Sequence, residues 1–252
     1  MRLVTNPDFH NDASLQQLLR RLPEAFTAGE GELIYDKRNQ LRRFVLPSGQ
    51  IAVVKSYHHP NLFQRLCYST FWRNKAIKSF LFGQRLLKCG IDTPTPIAAI
   101  TYYKWGCLVS KYFFVSTEDN RSDCLILRDG NMEHPEPLID ALAHYFIKLH
   151  EAGFLHGDAN LSNFLYEQQP DGQYRFAVID TNRSRFLGRP ASQQEAYQNL
   201  MRLTHVRSLL SALVRSYARQ RGWDEKEAEQ AVFDLIARRE RRKALVHKLL
   251  GK

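Results

Sequence analysis

The sequence predicts an α+β chain of two lobes, a small antiparallel sheet carrying one helix and then a mainly helical lobe. Three observations lead there. The first is a set of short β-type runs, Glu32 to Tyr35, Leu41 to Leu46 and Ile51 to Tyr57, separated by Asp36-Lys37-Arg38-Asn39-Gln40 and by Pro47-Ser48-Gly49-Gln50. Those separators read as two turns joining three antiparallel strands. The second is a helical pattern from about Thr70 to Lys88, with apolar Ile77, Phe80, Leu81 and Leu87 and a stop at Gly90. Pro94 and Pro96 then break the chain before two further strands, Ile97 to Tyr103 and Gly106 to Phe114. The third is a change of character after Phe114. Helical stretches cover Pro137 to Ala152, Gln193 to Arg221 and Asp224 to Leu250, with only short strands at Phe154-Leu155, Phe164 to Tyr166 and Tyr174 to Ile179. The first lobe is therefore expected over residues 1–114 and the second over 115–252, with a ligand cleft between them.

Composition narrows the partner. The chain has 252 residues, 44% of them hydrophobic and 12% aromatic, enough for a packed core and too apolar for disorder. Its 36 basic and 26 acidic side chains leave +10. The excess is uneven: from Lys37 to Ile91 there is no Asp or Glu, while 11 Lys and Arg side chains fall there. Such a field steers anions towards that surface, be they nucleic acid, phospholipid or phosphosugar. No RNA- or DNA-reading motif accompanies it, so nucleic acid is not expected. The four cysteines, Cys67, Cys89, Cys107 and Cys124, are widely spaced and read as reduced thiols. The N-terminus lacks a signal-peptide core, and no run of about 18 apolar residues occurs. A cytoplasmic protein is expected.

The chemistry is concentrated in His156-Gly157-Asp158-Ala159-Asn160-Leu161-Ser162-Asn163, followed 17 residues after Asn163 by Asp180 at the end of an apolar strand. Phosphoryl transfer needs a carboxylate to orient the acceptor hydroxyl and take its proton, and oxygen ligands for Mg²⁺ on the nucleotide phosphates. Asp158 suits the first task; Asn163 and Asp180 suit the second. Asp and Asn also cap turns, and the spacing alone would fit that reading. Lys55, closing the β-type run Ile51-Ala52-Val53-Val54, weighs against it: this pattern places a lysine on the α- and β-phosphates of ATP.

With these residues, the chain resembles the lipopolysaccharide core kinases, which phosphorylate Kdo or heptose sugars of bacterial lipopolysaccharide. The matching segments are Gly31 to Tyr35 with Arg38-Asn39, the Lys75 to Leu87 helix with Gly90-Ile91-Asp92-Thr93-Pro94-Thr95-Pro96, Leu149-His150-Glu151-Ala152-Gly153, and Val178 to Phe186. The resemblance implies a bilobal protein-kinase-like fold, ATP and Mg²⁺ as cofactors, a lipid-linked anionic sugar as acceptor, and a His156 that braces the catalytic loop without moving protons. Gly157 stands where protein kinases often carry arginine, there is little room for an activation loop after Asp180, and no A-P-E motif follows. The H-G-D triplet also occurs in aminoglycoside and choline kinase-like enzymes, the enzymatic alternative. Gly29 and Gly31 precede the first strand, so the phosphate-covering turn falls at Asp36 to Gln40, with Lys37, Arg38 and Asn39 offering side chains to phosphate. One departure concerns the lysine. The resemblance places its usual helix Glu at Leu81, and no acid lies between Asp36 and Asp92. Lys55 then borrows Asp180, binds nucleotide unassisted, or belongs to a pseudokinase scaffold.

Two features bear on a membrane. Leu62, Phe63, Leu66, Phe71 and Trp72 flank Arg65, Arg73 and Lys75, the pattern of an interfacial segment or of packing on the sheet. Arg238-Arg239-Glu240-Arg241-Arg242-Lys243, followed by Leu245, Val246, Leu249 and Leu250, reads as a solvated helix face or as a contact with anionic lipid. The latter would place the protein peripherally on the inner face of the inner membrane.

Overall fold

The computed structural model describes residues 1–37, 39–57, 73–105, 108–130 and 132–249. Arg38, the Leu62 to Trp72 segment, Gly106, Cys107 and Leu250 lie outside the described residues. Two compact units form, Met1–Asn120 with Asp180–Asn182, and Arg121–Ile179 with the chain from Arg183 onward.

In the first unit β1 (Arg2–Thr5), α1 (Ala13–Arg20) and α2 (Leu22–Thr27) precede the hairpin strands β2 (Glu32–Asp36), β3 (Gln40–Val45) and β4 (Ile51–Ser56). Helix α3 (Lys75–Lys88) and strands β5 (Pro96–Lys104) and β6 (Leu108–Thr117) complete it. The six strands run β1-β5-β6-β4-β3-β2, each pair antiparallel. Alternation along the strands gives each face its own helices. Phe44, Ala52, Val54, Ile100, Phe113 and Val115 bury against Leu15, Leu18, Leu19 and Leu22 of α1 and α2. Each of those leucines contributes roughly 2 kcal/mol by leaving water. Tyr57, Ala99 and Tyr112 pack instead on Ala76, Ile77 and Phe80 of α3, with Leu81 and Phe114 beside them. Register then fixes Lys55, which pairs with Leu41 and Phe114, on the α3 face.

Helix α3 begins later than the sequence pattern indicates, because Asn74 caps it. The Asn74 side chain accepts the Ile77 N–H at 3.1 Å and donates to Thr101 Oγ1 of β5 at 2.7 Å. A Cβ on Gly83 would meet Pro96 Cγ at 2.5 Å, so glycine there lets the helix lie close on β5. Strand β6 reaches Thr117, beyond the Phe114 end expected from sequence, because Thr117, Ser116 and Val115 pair with Ala52, Val53 and Val54.

The second unit contains β7 (Ser122–Asp123), α4 (Ile126–Asp129), α5 (Glu136–Glu151), β8 (Phe154–Leu155), β9 (Phe164–Gln168), β10 (Tyr174–Val178) and β11 (Arg185–Phe186). Helices α6 (Gln193–Leu200), α7 (Arg207–Gln220) and α8 (Glu225–Leu249) follow. The single helix expected from Gln193 to Arg221 is in fact two. The break at Met201 to Val206 is enforced by tertiary contacts: Leu203 is buried and its carbonyl accepts the Leu161 N–H at 3.3 Å, while Thr204 Oγ1 accepts the Val206 N–H at 3.1 Å. Among the described residues no helix is long and apolar enough to cross a membrane. Cys89 and Cys124 are free thiols.

Candidate active site

The loop from His156 to Asn163 leaves β8 and is fixed from below. His156 is buried. Its Nδ1 accepts the Asp158 N–H at 3.3 Å and its Nε2 donates to the Ile179 carbonyl at 2.9 Å. A backbone N–H only donates and a carbonyl only accepts, so the ring is the neutral tautomer with its proton on Nε2. Both nitrogens are thus occupied in holding the loop, and neither is offered to a substrate.

Asn199 of α6 ties the same residue from the other side. Its Oδ1 accepts the His156 N–H at 3.3 Å and the His150 Nε2–H at 3.2 Å, while its Nδ2 donates to the His156 carbonyl at 2.7 Å. Tyr217 of α7 reaches His150 Nδ1 at 2.9 Å. Burial of His150 pulls its pKa down to about 4, against a smaller upward pull from Asn199, so it too is neutral. Residue-by-residue reading of the sequence missed Asn199, whose only local signal is a polar residue on the buried face of an amphipathic helix.

Gly157 is required by space. A Cβ there would lie 2.0 Å from the Arg183 carbonyl oxygen and 2.3 Å from its carbonyl carbon. Asp158 then projects to a half-exposed position, where Arg183 Nη1 stands 3.2 Å from its Oδ2. Asn163 donates through Nδ2 to the Asp158 carbonyl at 2.8 Å, which turns its amide oxygen into the atom available to a cation. Ile179 N–H donates to the Asn163 carbonyl at 3.0 Å, holding the start of the next turn on the loop.

Asp180 follows, with φ +53, a left-handed conformation that Asp adopts more readily than most residues. The Asn182 amide donates to its Oδ1. Lys55 Nζ donates to the same oxygen at 2.7 Å, with side-chain exposures of 15% for the lysine and 32% for the aspartate. Lys55 also lies 5.3 Å from the Tyr57 ring centroid. Tyr57 in turn hydrogen-bonds Ser79 of α3 at 2.8 Å, and burial, reinforced by the Asp180 charge, pushes its hydroxyl pKa far up, so it stays protonated. Leu81 packs beside this aromatic cluster.

The β2–β3 turn occupies a different place. Lys37 and Asn39 line a cavity of about 280 Å³ with Thr27, Gln40, Ser56 and Lys111. Its lining also includes Phe113, from the α1–α2 face of the sheet, and Tyr57, which packs on α3. Gly29 and Gly31, set aside as glycine-loop residues on sequence grounds, take positive φ ahead of β2, and the Arg42 guanidinium donates to the carbonyls of Gly29, Glu30 and Gly31. Among the described residues no three His, Cys, Asp or Glu side chains cluster as metal ligands. Asp180 and Asn163 each carry a hard oxygen, the donor type that suits Mg²⁺.

Residues 50–233 match the model of the lipopolysaccharide kinase (Kdo/WaaP) family. Among solved structures, WaaP in complex with acyl carrier protein is similar with a TM-score of 0.61 and 20% identity, over 96% of this chain and 98% of that one. The Rio2 kinase–ADP/Mg²⁺–phosphoaspartate complex from Chaetomium thermophilum is similar with a TM-score of 0.50 and 17% identity, over 87% of this chain and 67% of that one. These likenesses show the kinase-like fold. No curated protein matches by sequence.

Proposed function

Because the chain belongs to the lipopolysaccharide kinase (Kdo/WaaP) family, phosphotransferases acting on a sugar hydroxyl, we propose that it moves the γ-phosphate of ATP to a Kdo or heptose hydroxyl of the lipopolysaccharide inner core. The observation that carries this reading is the Lys55–Asp180 contact at 2.7 Å, a lysine and a metal-ligand carboxylate held together without a helix acid. Lys55 would neutralise the α- and β-phosphates, and Asp180 and Asn163 would each offer oxygen to a Mg²⁺ on the nucleotide, a cation that would supply charge neutralisation for the transferring group. Asp158 accepts a hydrogen bond from the attacking hydroxyl, orients it in line, and takes its proton as the new P–O bond forms and the bond between the γ-phosphorus and the ADP leaving group breaks. Arg183 pairs with that carboxylate and directs it. Lys37 and Asn39 of the β2–β3 turn, which line a cavity that Ser56 and Tyr57 also border, would offer further side chains to the phosphates.

The acceptor is lipid-linked, and we place the protein in the cytoplasm, peripherally on the inner face of the inner membrane. The supporting feature is α8, whose last turns, residues 237–248, are exposed throughout and carry Arg238, Arg239, Arg241, Arg242, Lys243 and Lys248 with half-exposed or more exposed Leu245 and Val246. Mass spectrometry of core oligosaccharide from a deletion strain tests the proposal. One phosphate should be missing and should return with the wild-type chain; an unaltered core would overturn it.

A further inference from the structure

We propose that Arg128, Arg202 and His205 form an anion subsite beside the catalytic loop that takes the carboxylate or phosphate of the acceptor sugar. This rests on the phosphotransferase reading above. The second unit has a cavity of about 60 Å³ bounded by Arg128 of α4, Asn160 of the catalytic loop, and Arg202, Thr204 and His205 of the turn between α6 and α7. Among the described residues no carboxylate lines it. Its size suits one anionic group and not a whole sugar ring.

The cavity is tied to the chemistry by its walls. Arg202 Nη1 donates to the Gly157 carbonyl at 3.0 Å, one residue from Asp158, and the Leu161 N–H to Leu203 carbonyl bond holds the turn against the loop. A group bound by Arg202 is therefore positioned relative to the base by a single peptide link. Arg202 and His205 sit there only because the helix breaks after Leu200. Arg128 contacts the neighbouring Asp129 at 3.0 Å, both side chains more than a third exposed. Such a surface pair is worth little and gives way readily to a stronger bidentate partner.

The charge also selects. The two guanidinium groups repel cationic acceptors such as aminoglycosides or choline, and a neutral sugar offers them no ion pair. An acceptor carrying carboxylate or phosphate satisfies them and brings its hydroxyl to Asp158.

Calorimetry on the purified full chain with deacylated core oligosaccharide from the deletion strain, without nucleotide, tests the subsite. Arg128→Gln and Arg202→Gln should each weaken oligosaccharide binding about tenfold, as loss of a charge-assisted bidentate contact does, and leave Mg·ATP affinity within about twofold. Arg128 is exposed, so its variant stays informative if Arg202→Gln folds poorly. Carboxyl-reduced and dephosphorylated oligosaccharides separate the two sources of anion, and one of them should bind wild type as weakly as the variants do. Oligosaccharide binding that both variants retain, or that neither chemical modification weakens, overturns the subsite and leaves the kinase reading standing. A wild-type chain that binds Mg·ATP but no oligosaccharide overturns both.

Discussion

Lys55 donates to Asp180 at 2.7 Å, so the lysine has a carboxylate partner although helix α3 carries Leu81 where the resemblance expects a Glu. The helix is joined to the end of the lysine strand by the Tyr57–Ser79 hydrogen bond at 2.8 Å, and to β5 by the Asn74–Thr101 bond at 2.7 Å.

Restoring the acid should therefore not help. Leu81→Glu places a carboxylate beside Tyr57, Phe80 and Phe114, and it should lower stability by roughly 1–3 kcal/mol, the cost of an imperfectly solvated polar group. At equal folded fraction its turnover should not exceed that of wild type. Urea unfolding and steady-state kinetics on the same preparation check this; a clear gain in kcat would show Lys55 to be under-held.

Gly157→Ala should disrupt the loop. Its methyl would stand 2.0 Å from the Arg183 carbonyl oxygen, and since that neighbour is backbone, the loop or the Arg183 turn has to move. A loss of about 2 kcal/mol or more, the range of overpacking strain, is expected with a large drop in transfer. A Gly157→Ala variant with wild-type melting and turnover would mean that the loop is not confined as described.

Acid should loosen the support beneath the loop. His150 has a folded pKa of about 4 against the ordinary value of 6.5, so the unfolded chain binds the extra proton between these values. The stability contributed by the neutral ring is complete above the unfolded pKa and is lost as pH falls towards 4, by about 2–3 kcal/mol at pH 4.5. Denaturant curves at pH 7.5 and 4.5 for wild type and His150→Gln measure it, and the pH difference should shrink in the variant. Equal differences in the two proteins would remove His150 as the cause.

The end of α8 should carry membrane affinity. Replacing Arg238, Arg239, Arg241, Arg242 and Lys243 by Gln should abolish co-sedimentation with phosphatidylglycerol vesicles, since each juxtamembrane cation adds about 1 kcal/mol. Binding by wild type should also fall at high salt. Undiminished sedimentation of the variant would move the contact elsewhere.

Local chemistry made much of this legible. Strands β2, β3 and β4 are bracketed by turn residues, and the loop from His156 to Asn163 and Asp180 are short-range patterns with fixed spacing. What escaped depends on contacts far apart in sequence. Strand β1 is defined by Arg2–Thr5 pairing with β5, the α6–α7 break by Leu203 bonding to Leu161, and Asn199 by the backbone of His156.

Transfer of labelled γ-phosphate from ATP to purified core oligosaccharide, by wild type and by Asp158→Ala, tests the central claim most directly. Wild type should phosphorylate the oligosaccharide in a Mg²⁺-dependent reaction. Asp158→Ala should lose at least about a hundredfold in kcat while nucleotide affinity stays nearly constant, because a group that orients the acceptor and takes its proton acts on the transition state. Label reaching the sugar at the wild-type rate in Asp158→Ala, or no label reaching it from the wild-type enzyme, would contradict the account.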